Sequence, residues 1–94
     1  MDQLNIMRAE VAREHGITLY AQYNEQRAAH FLKLDLSTVR RNRRAGRVPY
    51  VQYGNGGVRF LGVMLCDYIL FGADAVRLWG GETPDEGQAA DAAE

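Results

Sequence analysis

Apolar and polar residues near the start of the chain follow first the spacing of a helix and then that of an extended segment. Between residues 2 and 15 the apolar positions Leu4, Met7 and Val11 recur at helical spacing, and a glycine ends the pattern. This spacing predicts an amphipathic helix whose apolar stripe needs a packing partner. Residues 18–23 are rich in aromatic and β-prone side chains, which predicts a short extended segment.

Residues 24–46 predict two helices joined by a tight turn. Asn24 suits the cap of a first helix over residues 25–33, because its side chain can accept hydrogen bonds from free N–H groups of the first turn. The inner face of that helix is predicted to carry Ala28, Ala29 and Leu32. A second helix begins after Asp35, which we expect to cap it, and ends at Gly46. This arrangement is a helix-turn-helix.

A glycine-rich turn separates two β-prone runs after the second helix. Residues 50–53 and 58–61 flank Gly54–Gly57, whose residues tolerate positive φ, and this pattern predicts a β-hairpin that is a candidate wing. Residues 62–71 then predict another helix. Residues 72–79 either extend that helix or fold back on it.

The helix predicted over residues 62–71 is apolar on nearly all sides, so something must cover its second face. The N-terminal helix is our first choice, because its own stripe also lacks a partner. A homodimer that buries the same surface is the alternative.

Charge is sorted along the chain, although the net charge is only −1. Residues 1–35 carry −1 and residues 67–94 carry −6, whereas residues 36–66 carry +6 and contain no acidic residue. A basic block of this density is typical of a surface that contacts DNA. Its six arginines are Arg40, Arg41, Arg43, Arg44, Arg47 and Arg59.

Most of this basic charge lies on the predicted second helix, which is therefore a candidate DNA-recognition helix. An arginine guanidinium presents a planar fork that can bind guanine O6 and N7 or a phosphate. Helical spacing points Val39 inward and the opposite face toward DNA, which favours Arg40, Arg41 and Arg44 as contacts. An arginine run alone is more often a solvated helix face, so the preceding turn and the following hairpin carry the interpretation.

Several short motifs occur in a fixed order between residues 20 and 71: Tyr23-Asn24, Ala28-Ala29, Leu32, Ser37-Thr-Val-Arg-Arg41, Gly46-Arg-Val-Pro49, and Gly54 through Arg59-Phe60. In this order they resemble the winged helix-turn-helix of the excisionase and AlpA-like group, which is related to the MerR-type DNA-binding domain. The resemblance implies that the second helix enters the major groove while the hairpin lies along the backbone or minor groove. It implies DNA contacts at Ser37, Thr38, Arg40, Arg41 and Arg44 in the groove and at Arg59 in the wing. Arg47 and Asn55 are further candidate contacts to DNA.

The chain departs from the pattern of that family at two places. Two positions that are often apolar in relatives, and that pack the recognition helix on the core, are Asn42 and Arg43 here. A long basic side chain such as Arg43 can lay its aliphatic stem on the core and send its charge outward. The helix after the wing, which in relatives often begins with charged residues, is apolar in this chain.

No catalytic constellation is visible, because the acidic residues cluster in the tail and no nucleophile has a neighbouring base. His15 and His30 lack partners at metal-ligand spacing, and Cys66 in its apolar run is predicted to be a buried hydrophobe. We therefore predict a protein that is not an enzyme and that needs no cofactor or metal. Neither a membrane-spanning run of about 20 apolar residues nor a signal peptide is present, which predicts a cytoplasmic protein.

These patterns together predict a mainly α fold with a small β-hairpin wing, a winged helix-turn-helix. Residues 1–16 form a helix packed on the core, residues 17–79 the DNA-binding domain, and residues 80–94 an acidic, disordered tail. The resemblance implies an excisionase, or recombination directionality factor, of a mobile element that bends attachment-site DNA and assists an integrase.

Such a factor would bind double-stranded DNA as a homodimer or cooperative multimer. A phage- or plasmid-type transcriptional regulator with the same fold is the alternative. An antitoxin, or another module whose basic helix binds an acidic protein or RNA, is a third interpretation.

Overall fold

The computed structural model describes residues 2–52, 54 and 57–80 of the 94-residue chain. Within this part the protein is mainly helical with a small three-stranded antiparallel sheet, which confirms the predicted helix-rich fold. The predicted disordered tail lies almost entirely outside the described residues, which end at Gly80. In chain order the elements are α1 (Gln3–His15), β1 (Gln22–Tyr23), α2 (Glu25–Leu32), α3 (Leu36–Arg44), β2 (Val51–Gln52), β3 (Val58–Leu61), α4 (Gly62–Phe71), a single 3₁₀ turn (Gly72–Asp74) and α5 (Ala75–Leu78).

Side-chain caps begin two of the helices. The Asp2 carboxylate accepts a hydrogen bond from the Leu4 N–H at 3.1 Å, and Asn24 accepts one from the Arg27 N–H at 2.8 Å, so the predicted cap of α2 is confirmed. Asp35 has the extended backbone of a cap, but its side chain accepts no capping hydrogen bond. The prediction that its carboxylate caps α3 is therefore wrong. The extended backbone of Asp35 marks the start of α3, whereas Lys33, in the left-handed conformation at φ 59°, ends α2.

Strand β3 is the centre of the sheet, because β1 pairs with one of its edges and β2 with the other. Pairing with β2 sets Val51 opposite Arg59 and confirms the predicted hairpin, while pairing with β1 sets Tyr23 opposite Phe60. The hydrophobic core forms where α2 and α4 pack on this sheet and α3 packs against α2. Its most buried side chains include Ala28, Val39, Val48, Phe60, Leu65 and Cys66.

Helix α4 runs through the middle of the molecule, and α1 packs against it. All residues from Gly62 to Asp67 are buried, which explains why this helix is apolar on nearly every side. The segment before β1 covers its N-terminus: the Ala21 carbonyl accepts from the Gly62 N–H at 3.0 Å, and the Leu19 carbonyl accepts from the Val63 N–H at 2.6 Å. This approach is so close that a Cβ atom at position 62 would overlap the Thr18 carbonyl oxygen.

After α4 the chain folds back rather than extending the helix. Gly72 ends α4 with φ 64°, a conformation that side chains rarely adopt, and α5 then returns along α4. The Trp79 indole N–H donates a hydrogen bond of 2.9 Å to the Asp67 carboxylate. Of the two sequence alternatives for residues 72–79, the structure shows the second.

The Asp67 carboxylate is completely buried and joins three helices. The Arg8 guanidinium of α1 donates two hydrogen bonds to it, from Nε to Oδ1 at 2.7 Å and from Nη2 to Oδ2 at 2.9 Å. Arg8 also lies over the Trp79 ring, with its guanidinium carbon 5.9 Å from the ring centroid. A buried charge needs such a partner to offset its loss of hydration, so this cluster determines how α1 and α5 sit on α4.

Candidate nucleic-acid interface

One face of α3 points to solvent and is strongly basic. Successive helical residues are about 100° apart, so Val39 and its neighbours on the inner face leave one arc of the helix free. Val39 is completely buried, as predicted. Thr38, at the margin of the arc, is half-buried. The exposed residues of α3 are Ser37, Arg40, Arg41 and Arg44, which together span about 100° of its circumference.

Arg43 lies on the inner side of the same helix although it is charged. Only 15% of its side chain is exposed, and its guanidinium carbon lies 5.6 Å from the centroid of the Tyr50 ring. Its Nε donates a hydrogen bond of 2.6 Å to the Glu25 carboxylate on α2. The long aliphatic stem therefore packs near the core, while the guanidinium group pairs with Glu25 and lies over the Tyr50 ring. This arrangement shows how α3 packs inward with an arginine at a position that is often apolar in the family it resembles.

Glu25 binds a second arginine of α3, because Arg40 Nε donates to its other carboxylate oxygen at 3.1 Å. The Glu25 side chain is 17% exposed and the Arg40 side chain 48% exposed. Burial by itself raises the pKa of the Glu25 carboxyl, but the hydrogen bonds and positive charges of Arg40 and Arg43 outweigh it and lower the pKa below its ordinary value. Glu25 is therefore ionised at neutral pH and holds the two guanidinium groups together.

The other predicted contacts lie after α3. Arg47 is half-buried, and its backbone N–H bonds the Asn42 carbonyl at 2.9 Å, in the turn that follows the helix. Arg59 is exposed on the central strand, and its Nη1 donates to the Val58 carbonyl at 2.8 Å. Asn55, predicted at the tip of the hairpin, lies outside the described residues. The structure thus gathers four of the eight predicted residues on one exposed arc of α3 and puts two more in the segments that follow.

Sequence reasoning missed Glu25 and Asp67. Glu25 follows the cap of α2, where an acidic residue is expected to favour the helix dipole, so its local pattern gives no sign of two arginines from another helix. Asp67 did carry a signal, because it is the one acidic residue in the apolar run 61–71. Its partner Arg8 is 59 residues away in sequence, and sequence spacing does not reveal such a contact.

Other reactive side chains offer little chemistry. Burial raises the pKa of the Cys66 thiol to about 11, with a smaller contribution from the nearby Asp67 charge, so the predicted inert thiol agrees with its environment. Among the described residues, no three His, Cys, Asp or Glu side chains are grouped closely enough to hold a metal ion. The helices in that part of the chain are all too short or too polar to cross a membrane.

Comparison with known proteins identifies no relative. No protein-family model matches the sequence, and no curated protein or solved structure matches the chain. The chemistry of its own residues is therefore the basis for assigning a function.

Proposed function

We propose that this chain is a sequence-specific DNA-binding protein with a winged helix-turn-helix, in which α3 enters the major groove. The observation that carries the proposal is the exposed arc of Ser37, Arg40, Arg41 and Arg44. It lies in a segment, residues 36–66, that holds six arginines and no acidic residue. In a protein whose net charge is −1, positive charge concentrated on one exposed helix face supports the binding of an anion there.

The shape of this part of the molecule suits duplex DNA. The major groove is wide enough to admit one α-helix, and α2 packs against α3 through a short turn, as in helix-turn-helix proteins. Arg41 and Arg44 are free of Glu25 and are our choice for contacts to bases or phosphates. The hairpin of β2 and β3 is the proposed wing, and it presents Arg59 to the phosphate backbone.

Within this class we propose a recombination directionality factor, an excisionase that bends attachment-site DNA and assists an integrase. Support for this finer assignment is the resemblance of residues 20–71 to the excisionase and AlpA-like group. A transcriptional regulator would use the same helix in the same way, so the arrangement of DNA sites must separate the two roles.

The first test is binding of the purified protein to tiled DNA from both sides of its coding region, at physiological salt with excess competitor. Cooperative binding to clustered sites beside an integrase gene or attachment site, with sharp bending, supports the excisionase. A single unbent site at a promoter supports the regulator. Failure to bind any duplex specifically contradicts the whole proposal and favours an acidic protein or an RNA as partner.

The role of Arg41 is tested by Arg41→Ala, with Arg13→Ala as control because Arg13 is an exposed arginine of α1. If Arg41 reads a base, the variant loses about 5- to 150-fold in affinity for the specific site, the equivalent of about 1–3 kcal/mol, and less on random DNA. An equal loss on both DNAs identifies a phosphate contact instead. Arg13→Ala should bind both the specific site and random DNA with the affinity of the wild type.

A further inference from the structure

Glu25 is an acidic residue attached to a helix that the proposed function places against a polyanion. Its carboxylate uses one oxygen for Arg40 and the other for Arg43, so each oxygen already binds an arginine. A phosphate on DNA offers these guanidinium groups the same kind of oxygen acceptor. The carboxylate and the DNA backbone therefore compete for whichever of the two arginines is able to reach both.

The two arginines are not held equally. Arg43 is 15% exposed and also contacts the Tyr50 ring, so it stays on the protein whatever happens at Glu25. Arg40 is 48% exposed, belongs to the exposed arc of α3, and is held at the surface by the Glu25 bond of 3.1 Å. Arg40 is thus the one of the pair that is able to swing toward a phosphate once its bond to Glu25 is lost.

We propose that Glu25 is a positioning residue that keeps Arg40 off the phosphate backbone and thereby limits the affinity of the protein for random duplex DNA. This inference rests on the proposed function, since it concerns the same helix and the same ligand. Contacts to phosphates add affinity for every sequence alike, whereas discrimination depends on base edges and DNA shape. Restraining one arginine of the arc leaves Arg41 and Arg44 as the arginines of α3 without an ion partner among the described residues.

The test is Glu25→Gln, which keeps the size of the side chain and an oxygen that can accept from Arg43 but removes the charge. Asn24, which caps α2, is unchanged. The matched control is Glu10→Gln, because Glu10 is an exposed residue of α1 and the substitution removes the same charge. Both variants and the wild type are titrated with a random-sequence duplex at several salt concentrations.

One additional phosphate contact steepens the slope of log K against log salt by about 0.9 and tightens binding about 8-fold at 0.1 M salt. We expect these changes in Glu25→Gln and not in Glu10→Gln. A purely structural role of Glu25 would not steepen the slope, because loosening α3 removes contacts rather than adding one. A slope equal to that of Glu10→Gln overturns the inference.

A double-mutant comparison identifies the arginine that is released. Adding Arg40→Gln to Glu25→Gln should abolish the gain in affinity for random DNA and restore the wild-type slope of log K against log salt. This result would show that the additional phosphate contact comes from Arg40. Persistence of the gain without Arg40 overturns the assignment. If Glu25→Gln fails to fold, variants of the wild-type protein still decide. Whichever of Arg41 and Arg44 contacts a phosphate, its replacement by Gln should weaken binding to random DNA about 8-fold at 0.1 M salt, and Arg40→Gln should weaken it clearly less. Equal losses overturn the inference.

The wild-type titration separates this inference from the function on which it rests. Binding of wild type to duplex DNA with no change in Glu25→Gln leaves the DNA-binding proposal standing and overturns only the role of Glu25. Absence of duplex binding by both proteins overturns the two together.

Discussion

Removal of the buried charge of Asp67 tests how the three helices around it are held together. The change is Asp67→Asn, which keeps the shape of the side chain but offers Arg8 and Trp79 a neutral amide. In the native protein the carboxylate is fully buried and accepts three hydrogen bonds of 2.7 to 2.9 Å from these two partners. The amide has one acceptor oxygen, so it cannot satisfy the same three donors.

Breaking a buried ion pair from one side typically costs about 3–5 kcal/mol. The Arg8 side chain is 17% exposed, so its guanidinium regains some hydration and we expect the lower end, about 3 kcal/mol. For a domain of this size that loss lowers the melting temperature by about 12–24 °C. The free energy of unfolding of such a domain is only about 5–15 kcal/mol, so the effect is large.

The assay is urea unfolding followed by far-UV circular dichroism and by fluorescence of Trp79, which is the single tryptophan of the chain. Asp74→Asn is the control, because Asp74 is exposed and the same substitution there should change stability by less than about 0.5 kcal/mol. A second variant, Arg8→Met with Asp67→Leu, replaces both charges and should recover most of the loss. The reasoning is refuted if Asp67→Asn unfolds within about 1 kcal/mol of Asp74→Asn.

Three further predictions concern other parts of the chain. Gly62→Ala should destabilise the protein by about 1–3 kcal/mol or more in urea unfolding, because its Cβ would overlap the Thr18 carbonyl; a neutral effect would contradict that contact. The Cys66 pKa of about 11 lies above its unfolded value of about 8.5. The free energy of unfolding should therefore fall by about 3 kcal/mol as the pH rises from about 8.5 to about 11, and urea unfolding of Cys66→Ala should not show this loss. Truncation after Gly80 removes acidic residues that could compete with DNA for the basic face, so it should tighten binding to random DNA at low salt. An unchanged affinity would exclude this competition.

Local patterns predicted those parts of the structure that depend on neighbouring residues. The helix over residues 62–71 was predicted with the bounds that α4 has, and the hairpin was predicted from its glycine-rich turn. The inward direction of Val39 followed from helical spacing alone. Each of these features depends on a repeat or a turn shorter than about a dozen residues, so the information lies within one window of the sequence.

Contacts between segments that are far apart in the sequence could not be predicted from such short windows. The pattern predicted an extended segment near residue 20 but not that β1 pairs with β3, because any β-prone edge offers the same backbone groups. The side-chain cap predicted for Asp35 was wrong, because extended backbone at the cap position does not by itself bring the carboxylate to a free N–H of the first turn. Which face of α4 is covered by α1 depends on the Arg8–Asp67 pair, whose members are 59 residues apart.

The helices, the hairpin and the concentration of arginine between residues 36 and 66 could be predicted from the chain alone, because helical period, turn chemistry and charge are properties of its residues. Which of those arginines have an ion partner among the described residues depends on the fold. The fold brings Glu25 of α2 to Arg40 and Arg43 of α3, and Coulomb attraction at 2.6 to 3.1 Å restrains these two guanidinium groups. Arg41 and Arg44 form no such pair within the part of the chain that the structure describes. A charge is fixed by residue type, but its availability depends on what the fold places beside it.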